Sequence, residues 1–151
     1  MKALAGLVAA LALLALDATA DATRGTEAEA QAMVRKAIQH YDKVGKDKAM
    51  ADFSRSPGPF VDRDLYVVVD AMDGLVLAHI NPKILGRNMI DLRDADGRYQ
   101  IRERLDAARS GASGWQDFKF FNPVTKKIEP KRTYWEKHDN LVFACGAYKA
   151  E

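Results

Sequence analysis

The sequence predicts an α+β domain: a five-stranded antiparallel sheet with a long N-terminal helix and a helical insertion between strands 2 and 3. The first observation is a change of period, because apolar residues recur at helical spacing near the start and in short strand-like runs later. The second is the order of elements, which reads helix, helix, hairpin, helical insertion and three-stranded meander. Since strands adjacent in sequence usually pair, we expect one sheet, with the helix on one face and residues 81–114 on the other.

The first folded element is predicted to be a helix that begins after Thr26 and ends near Gly45. Thr26 is a good N-cap residue, and Glu27 and Glu29 lie in the first turn, where the helix dipole favours negative charge. A second short helix is predicted over 47–55, before a Pro-Gly-Pro stop. The stripe that the first helix should bury consists of Ala30, Met33, Val34, Ala37, Ile38 and Tyr41.

Strand-like runs follow the helices. An Asp-Gly turn at Asp73-Gly74 separates runs 65–69 and 75–80, and that pattern is typical of a hairpin. A helix is predicted over 99–109 within the insertion. The closing strands are predicted over 115–121, 129–137 and 141–148.

The chain begins with a segment typical of export. Lys2 precedes an apolar run from Ala3 to Leu16, which is shorter than the ~20 residues of a membrane-spanning helix. Ala18-Thr19-Ala20 then matches the small-x-small pattern of a signal-peptidase site. We therefore predict a signal peptide over 1–20, cleavage after Ala20, and one periplasmic or secreted domain over 21–151. An uncleaved anchor is the alternative. After cleavage we expect no membrane insertion and no transmembrane or signalling module in the chain.

Composition and motifs narrow the function classes. The net charge of +2 is spread along the chain, which does not suggest a nucleic-acid-binding face. No phosphate loop, nucleophile elbow, metalloprotease helix or haem-attachment motif is present, so we predict no cofactor and no enzyme. Cys145 has no second cysteine to pair with and lies in an apolar run, so we expect a buried thiol.

The segment Asp94–Gly97 has part of the pattern of a calcium-binding loop. Taking Gly97 as the sixth position aligns Asp94, Asp96 and Glu103 with ligand positions, but Leu92 then occupies position 1. We therefore predict a structural turn that caps the insertion helix, and no metal site.

Short motifs across most of the chain, in matching order and spacing, make it similar to a known family. They are Gly58-Pro59-Phe60, Asp64-Leu65-Tyr66, Gly74–His79 with Asn81-Pro82, Gly86-Arg87-Asn88, Asp94–Gly97, Gly114-Trp115, Asn122-Pro123, Lys131, Tyr134 and Cys145–Tyr148. The chain thereby resembles the single-Cache family of extracytoplasmic sensor domains. The resemblance implies a PAS-like fold with a pocket between sheet and insertion, a small organic acid or amine as ligand, and a membrane sensor kinase or chemoreceptor as partner.

The resemblance also implies that Lys131 and Tyr134 bind the ligand. Alternation along a strand places Leu75, Leu77 and His79 on one face, but it puts Lys131 and Tyr134 on opposite faces. A bulge between Pro130 and Thr133 would bring both inward; without it we favour Tyr134. The full set of predicted ligand-binding residues is Lys131, Tyr134, His79, Trp115, Phe118, Phe120 and Tyr148.

Two other functions remain open at this point. One is a small extracytoplasmic enzyme with a PAS-like or cystatin-like cavity that uses His79 as a base. The other is a protein-interaction domain whose pocket is vestigial. Binding of a small molecule would distinguish a ligand-binding domain from a protein-interaction domain. Turnover of that molecule would identify an enzyme.

Overall fold

A computed structural model describes residues 22–150. The predicted signal peptide and its cleavage site after Ala20 lie outside the described residues and remain predictions. Among the described helices, none is both long enough and apolar enough to cross a membrane. The helices are α1 (Glu27–Val44), α2 (Lys46–Ser54) and α3 (Gln100–Ser110), and the strands are β1 (Val61–Asp62), β2 (Leu65–Tyr66), β3 (Val68–Ala71), β4 (Val76–Ala78), β5 (Ser113–Phe121), β6 (Ile128–His138) and β7 (Leu141–Tyr148).

The N-terminal helix α1 begins and ends as predicted. Thr26 and Glu29 form a reciprocal capping box, in which each side chain accepts the other residue's backbone N–H. The backbone N–H of Gly45 donates to the carbonyl oxygen of Tyr41 and ends the helix. The predicted stripe faces the sheet, with Ala30, Val34, Ala37 and Ile38 buried and Met33 and Tyr41 half-buried against them.

The main sheet has the strand order β4-β3-β7-β6-β5, and all neighbours are antiparallel. The predicted hairpin is β3–β4 and the predicted meander is β5–β6–β7. The sequential strands β4 and β5 do not pair, because they form opposite edges of the sheet, and β7 pairs with β3 instead. The insertion carries the chain across the sheet between β4 and β5. Every residue of β7 is buried, as a strand covered on both faces requires.

The first predicted strand, residues 65–69, is divided in two. Leu65–Tyr66 pairs with Val61–Asp62 as a separate two-stranded ribbon, and the main-sheet strand begins at Val68. Arg63 adopts a positive φ of 56° in the ribbon turn. A register shift between Val69 and Asp70 interrupts the β3–β4 ladder. Strand β4 is three residues long, shorter than the predicted run 75–80.

Each face of the sheet is covered by a different layer, as predicted. Helices α1 and α2 pack on the first face against side chains such as Val69 and Phe143. The insertion packs on the second face, where Leu105 contacts Trp135 and Val142. These will be called the α1 face and the insertion face.

Two smaller predictions concern the turn at Asp94–Gly97 and the thiol of Cys145. The Oδ1 atom of Asp94 accepts the backbone N–H groups of Asp96 and Arg98, which makes this segment a hydrogen-bonded turn. The turn does not cap α3 as predicted, because the N-cap residue of that helix is Tyr99, which makes no side-chain capping hydrogen bond. Cys145 is buried on the α1 face, where its Sγ lies 3.9 Å from the Sδ of Met33. Burial raises the pKa of this thiol to about 12.

Candidate ligand-binding site

A cavity lies between the insertion face of the sheet and the insertion. The space that the centre of a water molecule can reach within it is about 40 Å³, enough for about three water molecules. The cavity therefore suits a molecule of only a few heavy atoms. Its polar or ionisable lining residues are Tyr66, Asp70, His79, Gln100, Arg104, Lys131 and Thr133, and its apolar ones are Val68, Val76, Ile84, Leu92, Ile101, Phe118, Phe120, Ala144 and Gly146. Cys145 also borders the cavity, although its thiol packs against Met33 on the α1 face.

Lys131 brings a buried positive charge to this cavity. Only 4% of the residue is exposed, and its Nζ lies 4.0 Å from the ring centroid of Tyr66 and 4.6 Å from that of Tyr148. Among the described residues, no carboxylate comes within 4.0 Å of this ammonium. Aromatic rings attract a cation but do not neutralise it, so the charge of Lys131 is uncompensated.

The path of the Lys131 side chain depends on Gly146 in the neighbouring strand. A Cβ atom at Gly146 would lie 2.6 Å from the Cε of Lys131 and 2.3 Å from the Oγ1 of Thr133. Both separations are too short for real contacts. The missing side chain at Gly146 is what lets Lys131 and Thr133 occupy the insertion face side by side.

A second cation in the cavity, Arg104, already has a partner. Its Nη1 donates to the Oδ2 of Asp70 at 2.9 Å, and its Nε donates to the Oε1 of Gln116 at 3.2 Å. Burial raises the pKa of Asp70 and the charge of Arg104 opposes that shift. The Arg104 guanidinium favours the ionised form of Asp70, because a protonated Asp70 would leave Arg104 buried and unpaired. Asp70 thus offsets Arg104, and Lys131 leaves the lining with a net positive charge.

His79 contributes a neutral donor rather than a charge. Its Nδ1 accepts the backbone N–H of Asn81 at 2.9 Å, so the ring proton of the neutral form is on Nε2. Burial, together with the charges of Lys131 and Arg104, lowers the pKa of His79 to about 3. An imidazole with so low a pKa is a weak base at neutral pH, which argues against the enzyme alternative based on His79.

Some polar atoms around the cavity have no partner. Within residues 22–150, the buried Oδ1 of Asp70, Oε1 of Gln100 and Oγ1 of Thr133 make no hydrogen bond. Buried polar atoms are nearly always hydrogen-bonded in native proteins. The residues that carry these atoms all line the cavity.

The structure brings only part of the predicted site together. Lys131, His79, Phe118 and Phe120 line the cavity. The Tyr148 ring contacts Lys131, while its hydroxyl donates to the carbonyl oxygen of Phe121 at 2.7 Å and is also bonded to the hydroxyl of Tyr66. Tyr148 therefore lies behind the cavity wall.

Trp115 and Tyr134 lie on the α1 face and do not line the cavity. Their rings pack against each other at 5.2 Å, and the Tyr134 hydroxyl donates to Glu136. Strand β6 pairs without a register shift on both sides, so the bulge that would have turned Lys131 and Tyr134 to one face is absent. The preference for Tyr134 was wrong, because regular alternation gives the cavity to Lys131.

The alternation proposed for the second strand also needs correction. We predicted a shared face for Leu75, Leu77 and His79, but β4 ends at Ala78. Val76 and His79 line the cavity, whereas Leu77 packs on the α1 face. His79 reaches the cavity because the chain leaves the sheet just before it.

Sequence reasoning did not single out the residues that give the cavity its remaining polarity, which are Tyr66, Asp70, Gln100, Arg104 and Thr133. Two signals were present. Asp70 is a lone carboxylate in an apolar strand run, and Arg104 falls on the same helical stripe as Ile101 and Leu105. A charged residue at a position expected to be buried points to a partner or a ligand.

Comparisons with known proteins identify the family and the fold. The family model described as Single Cache domain 2 matches residues 7–148. No protein with a curated description matches the chain by sequence.

Solved structures share the fold. A methyl-accepting chemotaxis protein from Vibrio parahaemolyticus is 23% identical, with 80% of this chain and 86% of that chain covered and a TM-score of 0.70. A Cache chemosensory domain, whose structure is described as the basis for carboxylic acid recognition, is 16% identical, with 82% and 92% covered and a TM-score of 0.71. A periplasmic sensor domain of a chemotaxis protein is 19% identical, with 82% and 90% covered and a TM-score of 0.63.

Proposed function

The chain belongs to the single Cache domain 2 family of extracytoplasmic sensor domains, and from that premise we propose that it binds a small monocarboxylate against Lys131. The observation that carries the proposal is the buried ammonium of Lys131, which has no carboxylate partner among the described residues. A charge buried in this way is costly unless an opposite charge joins it. A ligand carboxylate supplies that charge.

The sign and size of the cavity narrow the ligand class. Its net positive lining repels an amine, so of the two classes expected from the sequence we favour the organic acid. The small volume of the cavity, with room for about three water molecules, favours a short acid of about two or three carbons. Phe118 and Phe120 form an apolar wall, which keeps water from competing for the carboxylate.

The wider role follows from the family. A structural neighbour that recognises carboxylic acids and neighbours from chemotaxis proteins support a sensory role with a membrane chemoreceptor or sensor kinase as partner. At these identities the neighbours share only the fold, so the ligand assignment depends on Lys131 itself. We propose that the signal peptide over 1–20 delivers the domain to the periplasm or outside the cell.

Calorimetric titration of propionate tests the proposal. We expect Lys131→Met to weaken binding about 30-fold or more, because removing a buried charge partner of a carboxylate typically costs about 2–5 kcal/mol. Lys137→Met is the matched control, since Lys137 lies on the same strand outside the cavity lining, and it should bind propionate as wild type does. Equal affinities of wild type and Lys131→Met would contradict the proposal.

A further inference from the structure

We infer that the cavity selects monocarboxylates that carry a hydroxyl group on the carbon next to the carboxylate, and that the Oδ1 of Asp70 accepts the hydrogen bond of that hydroxyl. The inference rests on the proposed function, because it assumes that the carboxylate is held by Lys131. It adds to the cationic donor Lys131 a second recognition group in the same small cavity, the hydrogen-bond acceptor of Asp70.

The two oxygens of Asp70 have different roles. Oδ2 accepts the hydrogen bond of Arg104 at 2.9 Å, whereas Oδ1 is buried without a partner in the described part of the chain. An ionised carboxylate can only accept hydrogen bonds. The free oxygen therefore requires a donor, and a ligand hydroxyl provides one without adding charge.

The protein's own cation does not satisfy this oxygen. Within residues 22–150, Lys131 makes no hydrogen bond to the unpartnered atoms of Asp70, Gln100 or Thr133, and its Nζ lies 4.0 Å from the ring centroid of Tyr66. The acceptor of Asp70 and the ammonium of Lys131 thus remain separately available in one cavity. A 2-hydroxy acid is the smallest organic anion that presents an acceptor to the one and a donor to the other.

The Asp70–Arg104 pair also excludes a second carboxylate. Arg104 would attract one, but its charge is already offset by Asp70, and the unpartnered oxygen of Asp70 would repel it. A hydroxyl group meets no such repulsion. The same pair that accepts the hydroxyl therefore restricts the ligand to a single negative charge.

Matched acids test the inference on the wild-type protein by calorimetry. Lactate differs from propionate, and glycolate from acetate, by the hydroxyl group alone. We expect each hydroxy acid to bind at least about tenfold more tightly than its partner, because only it satisfies a buried acceptor, and we expect malonate not to bind. If propionate binds but lactate binds no more tightly, the inference is wrong while the proposed function stands. If none of the acids binds, the proposed function is wrong as well.

A double variant identifies the group responsible. Asp70→Leu/Arg104→Met removes both charges of the pair, leaves the net charge of the lining unchanged, and replaces a buried ion pair by apolar side chains, which proteins often tolerate. It should still bind propionate but lose most of the preference for lactate. Asp106→Leu/Arg109→Met alters an exposed pair on the same helix and should keep that preference.

A crystal structure of wild type with lactate gives an answer that does not depend on the variant folding. The inference predicts the lactate hydroxyl within about 3.2 Å of the Asp70 Oδ1. A hydroxyl bonded elsewhere, with water on Asp70, would overturn it.

Discussion

The two faces of the central sheet are made from the same strands, but they differ in whether buried side chains find partners within the protein. On the α1 face, Phe53, Phe60 and Phe143 pack edge to face, with ring centroids 4.7 Å apart for Phe53 and Phe60. On the insertion face, Lys131 lacks a counter-charge and Asp70 lacks one hydrogen bond in the described chain. One face holds the fold together, and the other leaves interactions for a ligand to complete.

This difference indicates that the α1 face contributes mainly to stability and the insertion face mainly to ligand selectivity. Alternation along β7 places side chains on both faces. Phe143 and Cys145 pack in the core of the α1 face, while Gly146 makes space for Lys131 on the insertion face. Buried polar groups without a hydrogen-bond partner reduce the stability of a fold. We therefore expect changes on the α1 face to alter unfolding, and changes on the insertion face to alter binding and pH response.

The largest effect is expected on the α1 face. Phe143→Ala should lower the free energy of unfolding by about 3–5 kcal/mol, because it leaves a cavity among buried aromatic rings. Urea unfolding followed by circular dichroism measures the change. Phe121→Ala is the matched control, since Phe121 is 47% exposed, and it should change stability by less than about 0.5 kcal/mol. A loss below about 1 kcal/mol for Phe143→Ala would show that α1 does not close the core as described.

A smaller effect is expected from His79 on the insertion face. Its pKa falls from 6.5 to about 3 on folding, so between those values the unfolded state binds a proton that the folded state does not. Stability is therefore lost as the pH falls below about 6.5. From pH 7 to pH 5 this linkage amounts to about 2 kcal/mol.

The His79→Gln variant measures that contribution. Its free energy of unfolding should fall less between pH 7 and pH 5 than that of wild type, by about 2 kcal/mol. His40 and His138 are present in both proteins and cancel in the difference. Parallel pH profiles would mean that His79 is accessible to protons in the folded state.

The smallest effect concerns Lys131, whose replacement should raise the free energy of unfolding instead of lowering it. Without ligand, Lys131→Met should raise the free energy of unfolding by about 1 kcal/mol, because relief from burying an unpaired charge exceeds the lost attraction to the Tyr66 ring. Thermal unfolding in ligand-free buffer measures it. A variant less stable than wild type would show that the aromatic rings compensate the ammonium fully, and the contrast between the faces would then be weaker than described.

Much of the fold was predictable because local chemistry determines it. The capping box of Thr26 and Glu29, the Asp73-Gly74 hairpin turn and the alternation of the last three strands act over a few residues. The strand order could not be predicted from local chemistry, because the pairing of β7 with β3 joins residues about 70 positions apart. The continuous apolar run at 141–147 is the sequence feature that points to a central strand buried on both faces.

The site was predictable in part. Strand alternation correctly separated Lys131 from Tyr134, but the choice between them required knowing which face carries the cavity. Asp70 and Arg104 come from a strand and a helix 34 residues apart, and no spacing rule joins them. The unpaired state of Asp70 Oδ1 depends on three-dimensional packing and leaves no mark in the sequence.

The position of β7 between β3 and β6 has a consequence for how the molecule assembles. Until Leu141–Tyr148 takes its place, the β3–β4 hairpin and the β5–β6 hairpin share no backbone hydrogen bonds. The strand that comes last in this sheet along the sequence is thus the one that joins two separate ribbons. The sheet closes only when Leu141–Tyr148 pairs with both ribbons, and its pairing with β3 is a long-range step of the kind that slows folding.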